Sequence, residues 1–133
     1  MMRYLRHGSR LLLGLLFVST GVNGWLFLLD LPTLAPFPRG HDFIELFIRT
    51  YWLVVPVKAI EVLAGLALLA NRFTALALAA LAPIAFNFTA YHLFEEPQSI
   101  GPALLAVVLL LFQMFQHRAV FGPLFRYRSE TGS

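Results

Sequence analysis

YWLVVPVKAIEVLAGLALLA, residues Tyr51–Ala70, is the stretch that decides the fold. Twenty mostly apolar residues at a helical rise of about 1.5 Å reach across the roughly 30 Å of bilayer hydrocarbon. Lys58 and Glu61 nonetheless sit well inside the stretch. A charge near the centre of a membrane helix costs roughly 2.5–3.5 kcal/mol when left alone. At i, i+3 the two side chains share a helix face and can neutralise each other. They are therefore expected to point into protein, away from lipid, and any site is expected to be built around them.

Working outward, three further apolar runs have the length of membrane spans: residues 11–29, 74–93 and 100–117. The chain has 133 residues, 59% of them hydrophobic and 13% charged, and its mean hydropathy is +0.73. A soluble domain of this size has too large a surface-to-volume ratio to hide so much apolar surface. The expected fold class is all-α, a single integral membrane domain of four helices over residues 1–133. Arg3, Arg6 and Arg10 followed by LLLGLLFV resemble the start of a signal peptide. The apolar run continues to Leu29, however, so it is read as a retained first span.

The formal charge of +3 and pI near 9.8 are distributed in a way that argues against nucleic acid. With four spans, both ends and the short connection 71–73 fall on one side. That side carries Arg3, Arg6, Arg10, Arg72, Arg118, Arg126 and Arg128, against Arg39 and Arg49 on the other. The positive-inside rule then places both termini in the cytoplasm, here of a bacterial cytoplasmic membrane. Basic tail residues 122–133 would lie near anionic headgroups. The chain lacks cysteine, which excludes disulfides, thiolate metal sites and c-type haem attachment. Its four histidines are scattered without i, i+4 pairing, so no haem or metal signature is present.

The external segment 30–50 opens with Pro32, Pro36, Pro38 and Gly40, which preclude a regular helix there. Asp42 followed by Glu45 reads as a capping box opening a short amphipathic helix, either lying at the interface or continuing into the second span. Thr74 and Ser99 are candidate N-caps of the third and fourth spans. Gly14, Gly21 and Gly24 suit close helix packing.

Counting helical rise, Lys58 lies about 10 Å and Glu61 about 15 Å below the outer end of their span, with Asn23 and Asn87 each about 9 Å below the same surface. Tyr91 and His92 stand above them near the outer interface. The candidate site is thus a polar layer of Lys58, Glu61, Asn23 and Asn87 with His92 and Tyr91, provided those faces turn inward. In one reading the layer is a packing device, a buried ion pair completed by asparagines. In the other it holds a polar headgroup, such as a quinone ring or a small anion, or handles a proton.

RLLLGLLFVSTGVNG, KAIEVLAGLALLANRF and LAPIAFNFTAYHLF, taken together, resemble the DoxX-like membrane proteins. The similarity covers about residues 10–125. Its most specific parts are Lys58-x-x-Glu61 with Gly65, Asn71-Arg72-Phe73, and Ala82-Pro83 leading to Asn87 and His92. Many relatives have a Pro-Leu pair after the short turn, where this chain reads Thr74-Ala75-Leu76. The resemblance implies a small four-span bundle in a quinone-linked or accessory-subunit role, relatives being tied to quinol oxidase, thiosulfate:quinone oxidoreduction and oxidative-stress complexes. Three functions are therefore expected to compete. The first is an accessory subunit packing against other membrane subunits or a second copy. The second is a binder of quinone or another amphipathic ligand, and the third a small transporter or proton path. Catalysis by this chain on its own is the weakest option, and no nucleic acid is expected as partner.

Overall fold

The computed structural model describes residues 1–126, and the last part of the expected basic tail, Arg128 included, lies outside the described residues. Six α-helices form: α1 (Met2–Leu28), α2 (Asp42–Arg49), α3 (Tyr51–Ala70), α4 (Thr74–Glu95), α5 (Ile100–Gln116) and α6 (Arg118–Phe121). Single 3-10 turns cover Pro97–Ser99 and Gly122–Phe125. Four of these segments (α1, α3, α4, and α5 with the 3-10 turn before it) are long and apolar enough to cross a membrane. They pack in the order α1–α3–α4–α5 and back to α1, an up-down-up-down bundle. The connection 29–50 lies at one end of the bundle, here called the loop end. The N-terminus and the turn 71–73 lie at the other, the basic end.

The outside of the bundle is apolar. Leu63, Leu66, Leu76, Phe86, Leu104, Val108, Leu111 and Phe115 are all exposed, which fits a surface solvated by lipid tails. The inside holds Leu13, Phe17, Leu68, Leu78, Leu81 and Leu110. A second apolar cluster of Ile44, Phe47, Val54 and Tyr91 packs α2 onto α3 and α4 at the loop end. With lipid as the solvent, burying these side chains does little to drive the helices together, so close backbone approach carries more of the stability. That approach is made by α1 and α3. A Cβ on Gly14 would lie 3.0 Å from the Gly65 carbonyl oxygen, and one on Gly65 would lie 2.9 Å from that of Gly14.

The first helix begins at Met2, well before the expected 11. Its extra turns are held from across the bundle. Buried Gln113 donates through Nε2 to the Arg6 carbonyl (2.8 Å) and to Ser9 Oγ (2.6 Å). Arg6 Nε donates to Gln116 Oε1 at 3.2 Å. Arg10, 8% exposed, turns inward and its guanidinium donates to the carbonyls of Leu68 and Leu69. Both carbonyls lie in the last turn of α3, where a cation is favoured by the helix dipole.

The turn between α3 and α4 is as tight as expected. Asn71 and Phe73 both adopt left-handed backbone angles (φ 54° and 52°), and the Arg72 N–H returns to the Ala67 carbonyl at 2.9 Å. Asn tolerates that conformation through its short polar side chain, whereas at Phe73 it is a strained state. Thr74 is not the N-cap: Phe73 occupies that position, and the Thr74 hydroxyl donates to Asn71 Oδ1. Ser99 stands at the N-cap of α5 but makes no capping bond.

The amphipathic helix forms at the expected place, as α2, and a break at Thr50 separates it from α3. The expected capping box does not form. His41 is the N-cap, Asp42 is already helical, and Glu45 reaches back beyond the helix. Its Oε1 accepts from Arg39 Nε (2.7 Å) and from the Gly40 N–H (3.0 Å), and Oε2 accepts from Arg39 Nη2 (3.1 Å). The Arg39 guanidinium, then the Gly40 N–H, hold the Glu45 carboxyl down at about 2 from its ordinary 4.5. Because the folded value is the lower one, this contact stabilises the folded loop fully above about pH 4.5 and loses its effect as pH falls towards 2. The protection of residues 39–45 against amide exchange, taken relative to the intrinsic rate at each pH, is therefore expected to fall over that acidic range in the wild type. In Glu45→Gln that protection should already be low at neutral pH and respond little to acid. Equal pH profiles for the two proteins would rule the contact out as the loop's anchor.

Candidate ligand-binding site

Towards the basic end, α1 and α5 are joined by the Gln113 and Gln116 hydrogen bonds. Towards the loop end they separate, and a cavity of about 670 Å³ lies between α1, α3, α4 and α5 beneath residues 34–39. Exposed Ser19 and Thr20 on α1 and Pro102 on α5 line it, so the cavity opens sideways through the gap between these two helices. Small side chains at Ala103 and Ala106 keep the α5 wall thin. Most of the lining is apolar.

Its polar floor comes from α3. Lys58 and Glu61 are 5% and 3% exposed, and Lys58 Nζ lies 2.9 Å from Glu61 Oε2. The i, i+3 spacing brings them together, as expected from the sequence. Two aromatic faces complete the ammonium's surroundings: Phe88 of α4, its centroid 5.3 Å from Nζ, and Phe37 of the proline-rich connection, at 5.6 Å. Gly24 makes room for the lysine stem, since a Cβ there would fall 2.5 Å from Lys58 Cδ. Gly21 does the same beside Glu61, where a Cβ would lie 3.2 Å from the Glu61 Cβ and 2.6 Å from Val62 Cγ2. The carboxylate's Oε2 faces the Lys58 ammonium in this ion pair, and no other donor among the described residues reaches the carboxylate.

The remaining residues of the expected layer divide. Asn23 and His92 line the cavity with Lys58 and Glu61. Asn23 is occupied: its Oδ1 accepts from the N–H groups of Leu34 (2.7 Å) and Ala35 (3.1 Å), and its Nδ2 donates to the Ala35 carbonyl (3.2 Å). It pins the connection over the cavity instead of joining two helices. His92 has a buried Nδ1 with no partner among the described residues. Tyr91 and Asn87 turn away from the cavity, towards a shallow groove beside Phe43. Tyr91 packs under α2 against His41 and Phe43, and its hydroxyl reaches Glu96 at 3.4 Å. Asn87 is exposed and donates to the Pro83 carbonyl of its own helix at 2.9 Å. Matching depth alone suggested that Asn87 joins the layer. Yet it follows cavity-lining Ala85 by two residues and precedes Phe88 by one, and each residue turns the helix by about 100°. That rotation carries Asn87 off the inward face.

Sequence reasoning missed Phe37 and Phe88 as partners of Lys58, and Arg10 as a helix cap. Only Phe88 left a signal, falling at i, i+4 to His92 on the face that also bears Ile84 and Leu81. Removing the Asn23 amide should free the connection without unfolding the bundle. In Asn23→Ala, amide exchange at residues 34–37 is expected to rise by about tenfold, the equivalent of roughly one net hydrogen bond. Amides in the middle of α3 should stay protected, and a uniform rise throughout would mean that Asn23 holds the whole bundle.

Comparison of the chain with protein-family models, with curated proteins and with solved structures finds no match.

Proposed function

We propose that this membrane protein binds a small amphipathic molecule in the cavity at the loop end of its bundle. The molecule's polar end meets the Lys58–Glu61 floor, and its tail leaves between α1 and α5 into lipid. The observation that carries this reading is the coincidence of a sideways-opening apolar cavity with an ion pair at its base. An ion pair serving packing alone is best placed in a tight core, because desolvating charge is costly and a neighbouring void forfeits contacts. The DoxX-like resemblance supports the same reading and adds a quinone ring as one headgroup of suitable size. The arginine distribution supports an orientation with both termini in the cytoplasm and the cavity in the outer half of a bacterial membrane.

Native mass spectrometry of the protein, released from membranes in mild detergent, tests the proposal. The expected result is a stoichiometric small molecule on the wild type that is lost from Ala103→Trp, whose indole fills the gap beside α5. A bare wild-type chain, or the same adduct on both proteins, would overturn it.

A second reading, an accessory subunit of a larger membrane complex, has one observation in its favour. Asn87 presents a carboxamide, only one of whose groups is engaged, on an exposed face of α4, and such groups join helices in lipid. Co-purification of another membrane subunit with the wild type but not with Asn87→Leu is its expected result.

A further inference from the structure

Among the described residues, Glu61 and His92 are buried groups lining the cavity with hydrogen-bonding capacity left over. Glu61 sits at its base, its Oε2 facing the Lys58 ammonium at 2.9 Å and no further donor among the described residues on its carboxylate, and His92 lines it nearer the loop end with an Nδ1 that has no partner among the described residues. By helical rise, Glu61 is roughly 15 Å below the start of α3 and His92 roughly 5 Å below the end of α4. Of the other polar groups lining the cavity, Asn23 is engaged by residues 34–35, Arg39 by Glu45, and Thr20 and Thr89 by carbonyls of their own helices, while Ser19 and Ser99 contribute hydroxyls. The Lys58 ammonium is covered by Glu61, Phe37 and Phe88.

This inventory restricts the headgroup. Lys58 and Glu61 cancel, so neither an anion nor a cation gains net attraction. An anion would also meet the side of the Glu61 carboxylate that Lys58 does not cover. A carboxylate has about four acceptor positions, and Lys58 occupies one side of it. What the base of the cavity lacks is a donor.

We infer, on the footing of the binding function proposed above, that the ligand is a neutral amphiphile bearing a hydroxyl group, an alcohol or a phenol, whose O–H donates to Glu61. A hydroxyl supplies the missing hydrogen bond without bringing a charge into the membrane interior. Its oxygen remains an acceptor for a neighbouring donor. The same head without its O–H proton leaves the carboxylate unmatched, and sites built to bond a hydroxyl reject analogues that lack one.

The test compares 4-dodecylphenol with its methyl ether, which keeps the ring, the tail and the ether oxygen and loses only the donor. Binding of each is measured by native mass spectrometry and by competition on the wild-type protein in mild detergent. The measurements are repeated on Ala103→Trp and on Lys58→Met/Glu61→Gln, a variant that keeps the site neutral. The expected result is a preference of about tenfold or more for the phenol, because hydrogen bonds to charged groups are the strong ones. That preference should fall to near unity in the double variant, and both probes should be excluded by Ala103→Trp. Equal binding of phenol and ether to the wild type, with both excluded by Ala103→Trp, would overturn the hydroxyl inference and leave the binding cavity standing. Binding of neither probe would overturn the inference together with the cavity reading.

Discussion

Glu61→Leu alone is expected to lower the stability of the bundle by about 3–5 kcal/mol, because it strands the Lys58 ammonium in a buried site. The two side chains are 5% and 3% exposed and 2.9 Å apart, so neither has water to fall back on. Phe37 and Phe88 give the ammonium some relief through their ring faces, yet a ring does not replace a carboxylate. Removing both charges together should behave differently. Lys58→Met/Glu61→Leu replaces the pair by apolar groups of similar length, and such exchanges are commonly neutral or stabilising. Unfolding the three proteins in detergent with a denaturant series measures the contrast. Equal losses in the single and double variants would show that shape at position 61, and not charge, is what the bundle requires. Lys58→Met/Glu61→Leu also removes the carboxylate that the inferred hydroxyl would bond, so stability and binding are expected to come apart.

The second large effect lies where α1 crosses α3. A Cβ at Gly65 would sit 2.7 Å from Val18 Cγ2 and 2.9 Å from both the Gly14 carbonyl oxygen and the Val18 backbone nitrogen. Two of those three neighbours are backbone atoms, which cannot rotate aside. Gly65→Val must therefore push the helices apart, at a cost of about 1–3 kcal/mol or more from overpacking. The displacement would also move Lys58 and Glu61 relative to Gly24 and Gly21. Gly101→Ala on α5 is the matching control. Nothing lies within 4 Å of its added Cβ, and an alanine gains roughly 0.5–1 kcal/mol over glycine inside a helix. A Gly65→Val protein as stable as the wild type would mean that α1 and α3 are not in this close contact.

These contrasts mark what could be read directly from the chain. The four spans were legible because lipid imposes a single rule: a crossing segment must be about 20 apolar residues of helix. The Lys58–Glu61 pair was legible because both partners lie on one helix, so their separation is fixed by local geometry alone. The tight hairpin between α3 and α4 followed from a three-residue connection. The start of α1 was placed late because hydropathy ends where the arginines begin, while the helix itself continues through Arg3, Arg6 and Arg10 under the pull of contacts with α3 and α5. The caps were misread for a related reason. Glu45 was assigned to its own helix start, whereas Arg39 competes for the same carboxylate more strongly than a backbone amide does.

The sequence by itself determined the number and order of the spans and the presence of an ion pair on α3, since each rests on interactions within a few residues. Only the tertiary structure decided which polar groups share a cavity. Depth along an axis is local, but the direction a side chain faces depends on how each helix is rotated against its neighbours. That rotation is set by the glycine contacts of α1 with α3 and by the packing of α2 over Tyr91, and it turns Asn87 outward, leaves His92 beside the cavity and spends Asn23 on the connection.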